Sequence, residues 1–280
     1  MGLFLQAKHE TFAWHAKPFC AVTNCNDISC IHTKKGCKET YVQSRNYVMK
    51  KLLLTLIAAS YAGQALAAEV DVTVQNLTRG IYFTPLLVAA HPGSTSIFEI
   101  GAQASPALQA MAEGGNIDGL TAELAAQGAT ISNNPAEGLL ASGQSATTLL
   151  NTDDAPGNTY LSIAGIMLPT NDGFIPANNL EIPSTPGTYT FFLNAYDAGT
   201  EANDEILGSG APGEPGFPAP GPIADATGSN GSGVQSSVEG FVHFHRGVLG
   251  DADPDGGISD IDNTLHRWAN PVAKLTIVVR

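Results

Sequence analysis

Basic residues are what this 280-residue chain has least of. Thirteen Lys and Arg stand against 26 Asp and Glu, and beyond residue 67 the basic set is Arg79, Arg246, Arg267, Lys274 and Arg280. Such an imbalance argues against nucleic acid and anionic lipid surfaces as direct partners and leaves cations as natural ligands. Cysteine is missing from the same stretch. Cys20, Cys25, Cys30 and Cys37 all lie near the start, so residues 68–280 must be held by burial, and by any bound metal, without disulfides. No phosphate-binding glycine loop or dinucleotide fingerprint occurs. Ser142 and Ser145 beside Gly143 lack the glycine pattern and strand-to-helix context of a nucleophile elbow. The apolar run Leu52–Ala59 is interrupted by Ser60, Gly63 and Gln64 and falls short of the roughly 20 residues needed to span hydrocarbon. No transmembrane segment is expected in the mature chain.

That apolar run has another use. Met49-Lys50-Lys51 precedes it and Ala65-Leu66-Ala67 follows, which together make the three parts of a secretory signal peptide with cleavage after Ala67. Residues 49–67 are therefore expected to direct export, to the periplasm or the exterior, and residues 68–280 to form the mature domain. A signal peptide belongs at the start of a protein, so translation is expected to begin at Met49, with residues 1–48 a disordered upstream extension. Two alternatives stand beside this reading. One is a zinc module built from the four cysteines with His15 and His32, although their spacing lacks a close Cys-x-x-Cys knuckle. The other is a membrane anchor with residues 1–48 left in the cytoplasm.

The mature segment is of a size for one domain with a sizeable core. Val70, Val72 and Val74 alternate with polar neighbours, the period of a half-buried strand. Ile81–Ala90 is a second, more apolar extended run. Ser105 can cap a helix that starts at Pro106 and turns Leu108, Ala110 and Met111 inward, and a second helix is expected over Asp118–Gln127, closed by Gly128. These two helices read as a crossover between sheets. Strand signals return at Thr147–Asn151, Tyr160–Leu168, Thr188–Tyr196, Val238–Phe244 and Val272–Val279. Residues 208–233, rich in Gly, Pro, Ser and Ala, read as a flexible insertion. The expected fold is mainly β, an antiparallel β-sandwich with a short helical crossover.

The acidic residues are not spread evenly. Asn194–Glu205 packs Asp197, Glu201, Asp204 and Glu205 behind the strand-forming Phe191-Phe192-Leu193, and Asp172 follows the strand that ends at Leu168. If both strand ends lie at one edge of the sandwich, Asp172, Asp197 and Glu201 can converge on a single Ca2+, a hard cation that takes several oxygens in irregular geometry. A second acidic stretch, Asp251–Asp262, follows much of an EF-hand loop, though Pro254 is awkward there and Asp262 is short for the bidentate contact. In His243-Phe244-His245, alternate strand residues would place two imidazoles on one face, able to grip zinc or copper, with no Glu or Cys nearby to complete a recognisable site.

Several segments together resemble the spondin domain family. They are Gly101-Ala102-Gln103-Ala104-Ser105 leading to Ala112-Glu113-Gly114-Gly115-Asn116, then Leu168-Pro169-Thr170-Asn171-Asp172-Gly173-Phe174, Tyr196-Asp197-Ala198-Gly199-Thr200-Glu201, His245-Arg246-Gly247-Val248, and the closing Trp268–Ile277. The resemblance implies a β-sandwich similar to C2 domains, with one calcium held by acidic side chains at strand ends. Carried over, its ligands fall on Asp172, Asp197 and Glu201. Animal members have a second aspartate where this chain has the longer Glu201.

The expected function is thus that of an exported calcium-binding β-sandwich, a binding or structural module at the cell envelope or outside. It is not expected to be an enzyme. Calcium and an unknown protein or glycan ligand are its expected partners. The rival readings are a metalloenzyme using His243 and His245, and a structural envelope protein that binds no metal tightly.

Overall fold

A computed structural model of the chain describes residues 69–280. The signal-peptide, upstream-extension, anchor and zinc-module expectations fall on residues 1–68, outside the described residues.

The elements run in the order β1 (Glu69–Asn76), β2 (Tyr82–Phe83), β3 (Leu87–His91), α1 (Pro106–Gly114), α2 (Asp118–Ala126), β4 (Thr130–Asn133), β5 (Ser145–Asn151), β6 (Tyr160–Leu168), β7 (Gly173–Glu181), β8 (Gly187–Leu193), β9 (Tyr196–Asp197), β10 (His243–Phe244) and β11 (Ala273–Val279). They form two antiparallel sheets. The smaller has strand order β5-β1-β11-β8, and the larger β10-β9-β7-β6-β3-β4 with β2 paired to β6. The fold is mainly β, as the strand periodicity implied. Among the described residues no helix is long and apolar enough to cross a membrane.

The valines of β1 show why the sheets face each other. Val70, Val72 and Val74 are buried, alternate with half-exposed neighbours, and sit in register with Val279, Ile277 and Leu275 of β11. Their common face packs on Phe83, Val88, Leu161, Ile163 and Ile175 of the larger sheet in one core. Each such side chain contributes about 1.5–3 kcal/mol over its exposed state.

The larger sheet is apolar on both faces, since every residue of β3 is buried and β6 is buried from Leu161 onward. Its outer face needs cover, and the helices supply it: Leu108, Met111, Leu120 and Leu124 pack on Leu87, Ala89, Ala164 and Phe174. Ser105 caps α1 by accepting the Leu108 N–H at 3.1 Å, and Gly115 closes it in the left-handed conformation. The helical pair joins β3 to its neighbour β4 in the same sheet. It is therefore not the crossover between sheets that the sequence suggested; a second apolar face on β3 and β6 demanded it instead.

Other expectations change too: the run Ile81–Ala90 holds the two strands β2 and β3, and of Val238–Phe244 only His243-Phe244 is strand. The single strand expected over Thr188–Tyr196 divides at Asn194-Ala195: β8 pairs with β11 in the smaller sheet, and β9 pairs with β7 and β10 in the larger. Ala195, fully buried, is small enough to pass between the layers, and its N–H donates to Asn270 Oδ1 at 2.8 Å. In the Gly- and Pro-rich stretch 208–233, Phe217 is fully buried against Val248 and Ile261, and Ile223 against Ile166 and Leu168. Those two side chains dock the segment onto the rest of the fold.

Candidate metal centre

The switch of sheets delivers Asp197 to its place. In β9 it pairs on one side with Gly173, the first residue of β7, and on the other with His243 of β10. Asp172 immediately precedes β7, so the β7–β9 ladder brings the two aspartates to one edge of the larger sheet.

Asp172 reaches that edge through a tight turn. Thr170 Oγ1 donates to the Met167 carbonyl at 2.6 Å and accepts the Gly173 N–H at 3.0 Å. Asp172 is fully buried; its Oδ2 accepts the N–H groups of Thr200 at 2.7 Å and Glu201 at 3.1 Å, and the Thr200 hydroxyl at 3.2 Å. Its Oδ1 is buried with no hydrogen-bond partner. Gly199 makes the turn that aims those donors. Its φ is +65°, and a Cβ there would strike the Phe241 backbone, 2.7 Å from the nitrogen.

Asp197, also fully buried, accepts the Gly199 N–H at 2.8 Å through Oδ1 and the Asn203 side-chain amide at 2.7 Å through Oδ2. The Glu201 side chain turns a different way from its N–H. Its Oε1 accepts from Asn171 Nδ2 at 2.8 Å and from the Gly216 N–H, while its Oε2 is buried without a partner. Burial, then the charge of Asp197, holds the Asp172 carboxyl well above the ordinary carboxylate range. Burial likewise raises Asp197, opposed by the Asn203 amide and by His243, and pushes Glu201 up to about 7. Among the described residues, no ion pair brings a Lys or Arg to these carboxylates.

A further grouping was not foreseen from the sequence. One ligand atom from each of Asp197, Glu239 and His243 lies within 4.8 Å of the other two. Glu239 Oε1 accepts from Gln235 Nε2 at 2.6 Å, and its Oε2 is buried without a partner. His243 takes this position and His245 does not. His245 is buried against Trp268, with ring centroids 5.1 Å apart, and its Nδ1 accepts the Gly247 N–H at 2.9 Å. Burial, then the charges of Arg246 and His243, drives its pKa down to about 3. The regular strand stops at Phe244, which removes the alternation that would have aligned the two imidazoles. Glu239, four positions before His243, is the acidic neighbour that the sequence reading did not find, and only the β9–β10 pairing identifies it.

The Asp251–Asp262 loop is braced on itself. Asp251 accepts the N–H groups of Asp253, Ile258 and Ser259, and Asp260 accepts those of Leu207 and Gly231. Among the described residues no three of these loop carboxylates gather as Asp197, Glu239 and His243 do, and neither do the predicted Asp172, Asp197 and Glu201.

Residues 75–215 match the family model described as Spondin_N, which spans half of the chain and includes Asp172, Asp197 and Glu201 but neither Glu239 nor His243. No curated protein matches the chain.

Proposed function

The chain belongs to the Spondin_N family, a family of binding or structural modules, and from that premise we propose that it is an exported module whose acidic edge binds calcium and, through it, a protein or glycan ligand. One observation carries the reading: Asp172 Oδ1 and Glu201 Oε2 are buried without partners in a cluster of raised-pKa carboxylates. Buried charges that lack a counter-charge are costly and are ordinarily paired or bound to metal. A hard divalent cation resolves the deficit, because it accepts several carboxylate oxygens at once and tolerates irregular placement.

In this reading Asp172 and Asp197 supply the inner oxygens, and Glu201 contributes Oε2 while Oε1 stays on Asn171 and Gly216. Calcium held there would supply the missing positive charge between the Thr170–Gly173 turn and the Asp197–Glu205 loop, which Asp172 already joins by accepting the Thr200 and Glu201 N–H groups. Coordination positions not filled by protein are then open to acidic or hydroxyl oxygens of a ligand. The module acts by binding and not by catalysis, and the signal-peptide pattern at residues 49–67 supports export. Calorimetric titration of calcium into the full chain and into its Asp197→Asn variant tests the proposal. One strong site in the parent, weakened at least about tenfold in the variant, is expected; equal titrations, or none in the parent, would overturn it.

A further inference from the structure

We propose that Asp197, Glu239 and His243 form a distinct site for a borderline first-row transition cation of the Zn2+ type, sharing Asp197 with the oxygen-only site beside it. The His243 ring carries the first argument. Its Nδ1 lies 3.0 Å from the Phe244 carbonyl oxygen, which can only accept, so Nδ1 is the donor. In the neutral ring that leaves a lone pair on Nε2, and Nε2 lies 3.8 Å from Asp197 Oδ1. This separation is too long for a hydrogen bond and suits two ligands of one metal ion, since Zn–N and Zn–O bonds are each about 2.0–2.2 Å. A second-sphere carbonyl on the far ring nitrogen is the usual support for a metal-bound histidine.

Glu239 supplies the second, independent argument. Its Oε2 is buried and unpartnered while Oε1 is anchored by Gln235 and, at 3.4 Å, by Asn203. Asn203 also holds Asp197 Oδ2. One amide therefore orients both carboxylates of the group, and the remaining Glu239 oxygen has no hydrogen-bond partner among the described residues. The His243 side chain is 26% exposed, so an ion can reach the site from solvent. A nitrogen ligand beside two carboxylates favours zinc-like cations over calcium, which prefers oxygen throughout. The fourth coordination position belongs to water or to a donor group of a partner.

This inference does not require calcium to bind, and the test separates the two. Zinc and calcium are titrated separately into the full chain with its four cysteines alkylated, so that thiolates bind neither. In the parent, zinc binds one site. His243→Gln and Glu239→Gln each weaken zinc at least about tenfold and leave calcium unchanged, whereas Asp172→Asn weakens calcium and leaves zinc unchanged. His243 is part-exposed, so its variant is expected to keep the parent's unfolding temperature in chelator. Zinc affinity equal in parent and His243→Gln, or no zinc binding in the parent, would overturn the inference whether or not calcium binds.

Discussion

Replacing Asp172 by Asn should stabilise the metal-free protein and abolish its response to calcium. The carboxylate is fully buried, with Oδ2 satisfied by Thr200 and Glu201 and Oδ1 unpartnered. Asn preserves the shape, and its amide oxygen can keep the Thr200 and Glu201 N–H groups. Its nitrogen replaces the oxygen that has no donor and withdraws a negative charge from beside Asp197. An unsatisfied buried polar group costs about 1–3 kcal/mol, more when charged. For a domain of this size each kcal/mol is worth roughly 2–4 °C of Tm, so a gain of about 5 °C is expected in chelator. The gain also has a sign with pH. The folded pKa of Asp172 is raised, so well below pH 3.8 the group is neutral in both states and its ionisation costs the fold nothing. As pH rises beyond that value the unfolded chain ionises first and the parent loses stability that the variant keeps. Thermal unfolding followed by circular dichroism, in chelator from pH 4 to 8, should show the two curves diverging as pH rises. A variant less stable than the parent at pH 8 would refute the reasoning, because it would mean the Asp172 charge is already compensated within the protein.

Other consequences can be checked alongside. Gly199→Ala, which needs φ +65° and would drive a Cβ into the Phe241 backbone, should cost about 3 kcal/mol of stability in denaturant unfolding. Glu205→Ala should cost about 3–5 kcal/mol by the same assay, since it strips a buried carboxylate from the Leu249 and Gly250 N–H groups and the Ser259 hydroxyl. His245, with a folded pKa of about 3 against 6.5 when unfolded, stays neutral as acid is added while the unfolded chain takes up a proton. Its contribution to stability therefore falls as pH drops below 6.5, by about 2 kcal/mol at pH 5; its ring resonances should not titrate above pH 4, and a midpoint near 6.5 would contradict this.

What the sequence disclosed follows from which forces are local. The alternating valines of β1 and the Ser105-Pro106 helix start are written in residues close together, and each stands where the pattern put it. Asp172 and Asp197 become neighbours through the β7–β9 ladder, in a short strand that the pattern does not separate from β8. Strand β7 is hard to read in the sequence because Gly173, Pro176, Asn178 and Asn179 are turn formers; pairing to β6 and β9 carries the strand through them, with a register shift near Asn178 and Asn179, the latter at φ +53°. The division of β8 from β9 depends on Asn270, distant in sequence, which takes the Ala195 N–H. Glu239 lay within sight of the His-x-His pattern, but the two-residue strand that brings His243 to Asp197 has no periodicity to read. The Gly- and Pro-rich segment at 208–233 reads as a flexible insertion because its buried residues, Phe217 and Ile223, are single large apolar side chains in a stretch of small and polar ones.

The most direct test of the account is the unfolding temperature of the full chain with excess calcium and with chelator. Ligand at 100 times its Kd adds about 2.7 kcal/mol of stability, or roughly 5–10 °C here. A rise of that order in the parent, absent from Asp172→Asn, is the predicted result. An identical Tm in calcium and chelator would contradict the claim that the buried, unpartnered oxygens of Asp172 and Glu201 are there to hold a cation.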